Sequence, residues 1–230
     1  MTTVRKNQRH LTGLERKRYV HAIDQLHGTA ASPPAYRAFV AVHARAMSMA
    51  GMSWQVHTMG FGMPGTNFLV WHRHFLLRFE QRLQQVDPGV SIPYWDWITD
   101  PDIPAFLDDP ALLAKWSVER DFAPHEMPSS GELDLVMGNG RFPRFQRKLE
   151  LGPHNDVHVA VGGTMATSSS PADPLFWLHH ANLDRLWSRW QAGNPKAKPA
   201  LARTVLQPPS LFGVTIASQL DIATLGYQYH

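Results

Sequence analysis

Apolar residues recur at helical spacing along most of the chain, and four stretches stand out. Residues 12–27 start at Thr12, a hydroxyl suited to capping a helix, with Leu14, Tyr19, Ile23 and Leu26 facing inward and Arg16 and Lys17 outward. After a loop at 28–34 holding the Pro33-Pro34 pair, residues 35–47 place Phe39, Val40, His43 and Met47 on one stripe. Residues 67–83 align Phe68, His72, Phe75, Phe79 and Leu83, and Asp87-Pro88-Gly89 stops that helix. Asp173-Pro174 opens another, with Asp as N-cap and Pro in the first position, followed by Phe176, His180, Leu183, Trp187 and Trp190 on one face. Between them, residues 48–66 are rich in Met and Gly, and 98–141 read as surface loops with short helical pieces. The aromatic run I-P-Y-W-D-W at 92–97 is too Pro-interrupted for a central strand. The pattern predicts a mainly α chain: a four-helix bundle with long surface loops and little β, in one domain over residues 1–230.

Histidine changes this picture. His43, His72 and His180 fall on the inward stripes, and His154 and His158 stand four apart in P-H-N-D-V-H, a spacing that stacks them on one helix face. A single histidine on an apolar face is usually a hydrogen-bonded core residue. Five on inward faces of four helices imply convergence, and bundle cores are where such side chains meet a metal. Asn155 follows His154 where a metalloprotease would carry its glutamate base. The chain has no cysteine, which excludes disulfides, thiolate metal sites and cysteine nucleophiles. A di-iron site would want helix-borne Glu and Glu-x-x-His pairs that these stripes lack. Imidazoles alone suit copper or zinc. Copper leads as the redox-active metal highest in the affinity order, and zinc in a three-histidine hydrolytic site is the alternative.

Charge narrows the partners. The formal net charge is +3, and Arg5, Lys6, Arg9, Arg16, Lys17 and Arg18 are interleaved with apolar residues, which reads as a solvated helix face and no nucleic-acid partner. No apolar run follows these charges and no stretch approaches membrane-spanning length. The expectation is no signal peptide, no membrane partner, and a cytoplasmic protein or one secreted on a carrier.

Six motifs then stand in order: R-K-N at 5–7, F-L-V-W-H-R-H-F-L-L-R-F-E at 68–80, I-P-Y-W-D-W at 92–97, P-H-N-D-V-H at 153–158, V-G-G-T-M-A-T at 161–167 and D-P-L-F-W-L-H-H-A-N-L-D-R-L-W at 173–187. Together they resemble the tyrosinase family of type 3 copper proteins, in its short actinobacterial tyrosinase and o-aminophenol oxidase-like form. The resemblance implies two copper ions, CuA and CuB, with dioxygen as co-substrate. The implied activity is ortho-hydroxylation of monophenols, oxidation of o-diphenols to o-quinones, or both. An o-aminophenol oxidase is the alternative, and a non-catalytic oxygen-binding protein a remote one.

Carried over by position, His154, His158 and His180 would hold CuB, and His43 and His72 would hold CuA. The family's second CuA histidine lies nine residues before the W-H-R histidine, where this chain has Met63. Either His57 reaches in from fifteen residues upstream, which is the expectation, or Met63 supplies a thioether. His179 would orient neighbouring ligands, and His74 would not bind metal. Glu150 and Asn155 would hold a water that takes the phenolic proton. Val159 and the small residues of 164–170 would leave an open floor near CuB. A small copper-delivery protein of the caddie type is an implied partner. The Tyr227-Gln228-Tyr229 triplet resembles the family's closing Y-x-Y, with no C-terminal lid domain expected beyond it, and Asp184 is expected to pair with Arg5.

Overall fold

The computed structural model describes residues 2–28, 35–59, 64–200, 204–209 and 212–230. Among them the helices are α1 (Gly13–His27), α2 (Ala35–Ala46), α3 (Phe68–Val86), α4 (Pro110–Trp116), α5 (Ser130–Met137), α6 (Phe142–Leu149), α7 (Asn155–Val161) and α8 (Leu175–Gly193). The strands β1 (Thr3–Arg5) and β2 (Tyr227–Tyr229) form a single parallel pair, with Val4 opposite Gln228. The chain is mainly α, as its pattern predicts.

Helices α3 and α8 form the spine and are buried over most of their surface, their large apolar side chains interspersed with buried polar residues such as His72, Arg73, His180 and Asp184. Phe68, Trp71, Phe75 and Phe79 of α3 and Phe176, Trp177 and Trp187 of α8 are fully buried. The rings of Phe79 and Trp177 stack with centroids 3.6 Å apart, and the Arg73 guanidinium lies 3.6 Å above the Trp187 ring. Helix α1 starts as expected: the Glu15 N–H donates to the Thr12 hydroxyl at 3.2 Å, and the Thr12 N–H donates back to the Glu15 carboxylate at 2.7 Å. Leu14 does not face inward; it is 65% exposed. It precedes Tyr19 by five residues, about 140° off the stripe that Tyr19, Ile23 and Leu26 follow. Met47 lies just past the end of α2 and is exposed, so it also leaves its predicted stripe.

Arg5 departs furthest from the solvated reading, being completely buried. Its Nη2 meets Glu80 at 2.9 Å and its Nη1 the expected Asp184 at 3.4 Å. Asp184 also accepts from Arg73 Nε at 2.5 Å and from the hydroxyls of Tyr227 and Tyr229 at 2.7 and 2.6 Å. Two guanidiniums and two carboxylates balance in charge, the condition under which buried ions are tolerated.

The 153–158 motif does not lie on one continuous helix. After α6, Glu150–His154 form a π-helical turn with non-helical Gly152 (φ −105°, ψ −108°) followed by Pro153, and α7 begins only at Asn155. Proline removes a backbone donor and forces such a break. Gly162 and Gly163 then turn the chain with positive φ; a Cβ on Gly163 would sit 2.2 Å from the Glu119 carbonyl oxygen. That close approach sets the start of the 163–172 loop against the 119–121 segment. Helix α8 starts one residue later than predicted, yet Asp173 still caps it, accepting from the Leu175 N–H at 2.8 Å.

Candidate metal centre

Helix α2 brings in His43 and α3 brings in His72, while His57 comes from the loop between the Met49–Trp54 turn and α3. One nitrogen from each lies within 4.8 Å of the others. The His43 Nδ1 pairs with the Ser168 carbonyl at 2.9 Å and the His72 Nδ1 with the Phe68 carbonyl at 2.8 Å. A carbonyl only accepts, so both rings carry hydrogen on Nδ1 and turn a bare Nε2 inward. All three Nε2 atoms are buried without a hydrogen-bond partner. Met63, the alternative to His57, lies outside the described residues.

A second cluster faces the first. The His154 Nδ1 donates to the Glu150 carbonyl at 3.0 Å and the His158 Nδ1 to the Met165 carbonyl at 2.7 Å, fixing the same tautomer. His158 Nε2 and His180 Nε2 approach to 3.4 Å. His180 stacks on His72 with ring centres 4.3 Å apart, so the clusters share a wall. His179 joins this group, with a nitrogen within the same 4.8 Å limit. His74 is in neither cluster and pairs instead with Gln219 at 2.8 Å.

Burial, with some mutual repulsion, keeps these rings neutral: His43 and His158 are pushed down to about 4, and His57, His72, His154 and His180 lie well below the usual histidine range. Neutral imidazole is the form that ligates metal. Each buried nitrogen left unpaired costs ~1–3 kcal/mol, a cost that a bound cation removes. The donor set thus fits a pair of borderline metal ions.

Glu150 is buried behind this cage (2% exposed) rather than on the surface. Its two oxygens accept from the Thr58 N–H at 2.5 Å and the Thr58 hydroxyl at 2.7 Å, and Oε1 stands 3.9 Å from His57 Nδ1. Burial pushes its carboxyl up to about 7 against these hydrogen bonds. One residue therefore serves both clusters, its carbonyl holding His154 and its carboxylate holding the loop that carries His57. Sequence reading missed Thr58; its adjacency to His57 was the one available signal. Asn155 is exposed and lines a cavity of about 260 Å³ over the clusters, together with Met47, Val159, Met165 and Thr167.

The family model described as the common central domain of tyrosinase matches residues 33–131 and 113–193. The chain is similar to the tyrosinase of Streptomyces antibioticus, at 36% identity over 240 residues covering 85% of each chain. It is 30% identical over 269 residues to grixazone synthase of Streptomyces griseus, covering 85% of this chain and 86% of that one. A functional unit of octopus hemocyanin superposes with a TM-score of 0.79 at 25% identity, covering 99% of this chain and 68% of that chain. With the family's central domain matched over most of its length, and a double histidine cage at its centre, this chain belongs to the tyrosinase family as a dicopper phenol oxidase.

Proposed function

We propose that the chain hydroxylates monophenols ortho to the hydroxyl group and oxidises o-diphenols to o-quinones. His43, His57 and His72 would hold one copper, and His154, His158 and His180 the other. The observation that supports this most directly is the set of buried Nε2 atoms of His43, His57 and His72 left without partners, facing the His154–His158–His180 cluster beneath a cavity large enough for one phenol ring. Copper, when bound, supplies one-electron redox chemistry and the activation of dioxygen. Everything else falls to the chain. The carbonyls of Ser168, Phe68, Glu150 and Met165 fix ring orientation, which conserves ligand basicity and geometry. Val159, 57% exposed at the cavity, and the small Ala166 leave room for the ring to approach.

Monophenol hydroxylation needs the phenolic proton removed, and Glu150 and Asn155 carry that role in this reading. A carboxyl near 7 is matched to proton transfer at neutral pH. Glu150→Gln is expected to lower kcat/KM for a monophenol by at least about 10-fold more than for catechol. Equal losses on both substrates, at unchanged copper content, overturn that role. Copper reconstitution followed by oxygen uptake on phenol, catechol and o-aminophenol tests the reading as a whole. A kcat/KM highest for o-aminophenol assigns the alternative oxidase, and oxygen binding without turnover assigns an oxygen-binding protein. A small copper-delivery protein of the caddie type belongs to this reading as the partner that fills the cage.

A further inference from the structure

His179 is fully buried, and neither of its ring nitrogens has a hydrogen-bond partner. The backbone of His154 lies close enough to act on the ring, without meeting the full geometry of a hydrogen bond. An unpaired buried polar group costs ~1–3 kcal/mol, and this ring carries two.

Its surroundings supply three more imidazoles. The ring-to-ring distances among His154, His158, His179 and His180 run 4.6, 5.0, 5.1, 5.1, 5.5 and 5.6 Å. Four imidazoles bound tetrahedrally through one nitrogen each, at ~2.0–2.1 Å from a metal, have ring centres about 5 Å apart. The six spacings therefore already approximate a four-coordinate cage, although the resemblance assigns only three of these rings to a metal.

We propose that His154, His158, His179 and His180 form a closed four-imidazole site for a single zinc ion, with His179 as the fourth donor, whenever copper is absent from that half of the centre. Zinc has no d-electron geometric preference and settles in closed tetrahedral sites. Cu(II) favours tetragonal geometry and is served by three rings with an open position, which leaves His179 free. The cage thus distinguishes the two metals by coordination number. A zinc ion held by all four rings has no open position, so the zinc form is inert, and copper must displace zinc to open the site.

The test uses metal-free full-length protein titrated with zinc alone against a chromophoric chelator. X-ray absorption at one zinc per chain reads the donors, both in the wild type and in His57→Ala, where the opposite trio is broken. Four imidazole nitrogens and no water oxygen are expected in both. His179→Phe is expected to weaken the first equivalent by at least about 10-fold and to show three nitrogens plus an oxygen, while His74→Ala changes neither. Three nitrogens plus an oxygen in the His57→Ala protein overturn the proposal, and so does wild-type affinity and coordination in His179→Phe. The His57→Ala spectrum decides the matter even where His179→Phe fails to fold. None of these readouts depends on turnover, so they stand apart from the choice of phenol.

Discussion

Asp184 accepts four buried donors, and replacing it with asparagine isolates what they contribute. Asp184→Asn keeps the volume but removes the charge, leaving Arg5 and Arg73 buried with Glu80 as the remaining carboxylate of the network. Removing one partner from a buried ion pair costs ~3–5 kcal/mol. The amide also replaces one acceptor oxygen with an NH2 group that cannot accept from Arg5 or Arg73, so at least one charge-assisted bond worth ~1.5–3 kcal/mol is lost. These terms overlap, and a net loss of about 4 kcal/mol is expected from a total stability of ~5–15 kcal/mol. With a urea m-value of about 3 kcal/mol/M, the unfolding midpoint of the metal-free protein falls by more than about 1 M. Tryptophan fluorescence at pH 7 measures it. The pH dependence gives a second check. Burial pushes the Asp184 carboxyl up, but Arg73, Arg5 and the two tyrosine hydroxyls outweigh it and hold it below the usual range. A carboxylate with a depressed folded pKa stabilises fully above its unfolded value of about 3.9, and that stability is lost as pH falls through the folded value. The gap between the two proteins is therefore full at neutral pH and closes in acid. A midpoint shift under about 0.3 M at pH 7, or a gap unchanged at low pH, refutes the reasoning.

The other predictions concern the loop ligand and a second histidine. Thr58→Val removes the hydroxyl bond to Glu150 and loosens the loop that carries His57, so copper content is expected to fall toward one per chain with the fold intact by circular dichroism. Two coppers per chain in that variant would show that the clasp does not hold the ligand. His27 stacks on Tyr36 at 4.1 Å, and burial pushes its pKa down to about 4. The unfolded chain takes up a proton near pH 6.5 that the folded form refuses, so stability drops as pH falls from about 6.5 to 4. His27→Phe should flatten the pH-stability slope in that window by up to about 1.4 kcal/mol per pH unit, and an unchanged slope would refute this.

The parts legible in the sequence were those fixed by local pattern. Helices α3 and α8 announce themselves because their apolar residues are dense and their ends are marked by Asp87-Pro88-Gly89 and Asp173-Pro174. The inward positions of His43, His72 and His180 follow from the same periodicity. What stayed hidden depends on non-local contact. Arg5 reads as a surface cation because its three acidic and aromatic partner segments lie 75 to 224 residues away. The break at Gly152 hides because Gly-Pro fits either a helix start or a kink, and packing decides. Glu150 meets Thr58 across 92 residues, so neither sequence neighbourhood suggests a clasp. Leu14 misled because an apolar residue in a first turn follows the same rule as one in the core.

The ion network also sets an order of events during synthesis. Asp184 and Tyr229 are 45 residues apart, which at ~5–20 residues per second takes the ribosome about 2–9 s to add. For that interval every clustered histidine has been made, yet Asp184 still lacks the two tyrosine hydroxyls that complete its shell. A nascent chain therefore carries all its clustered histidines before its buried charge network is fully hydrogen-bonded.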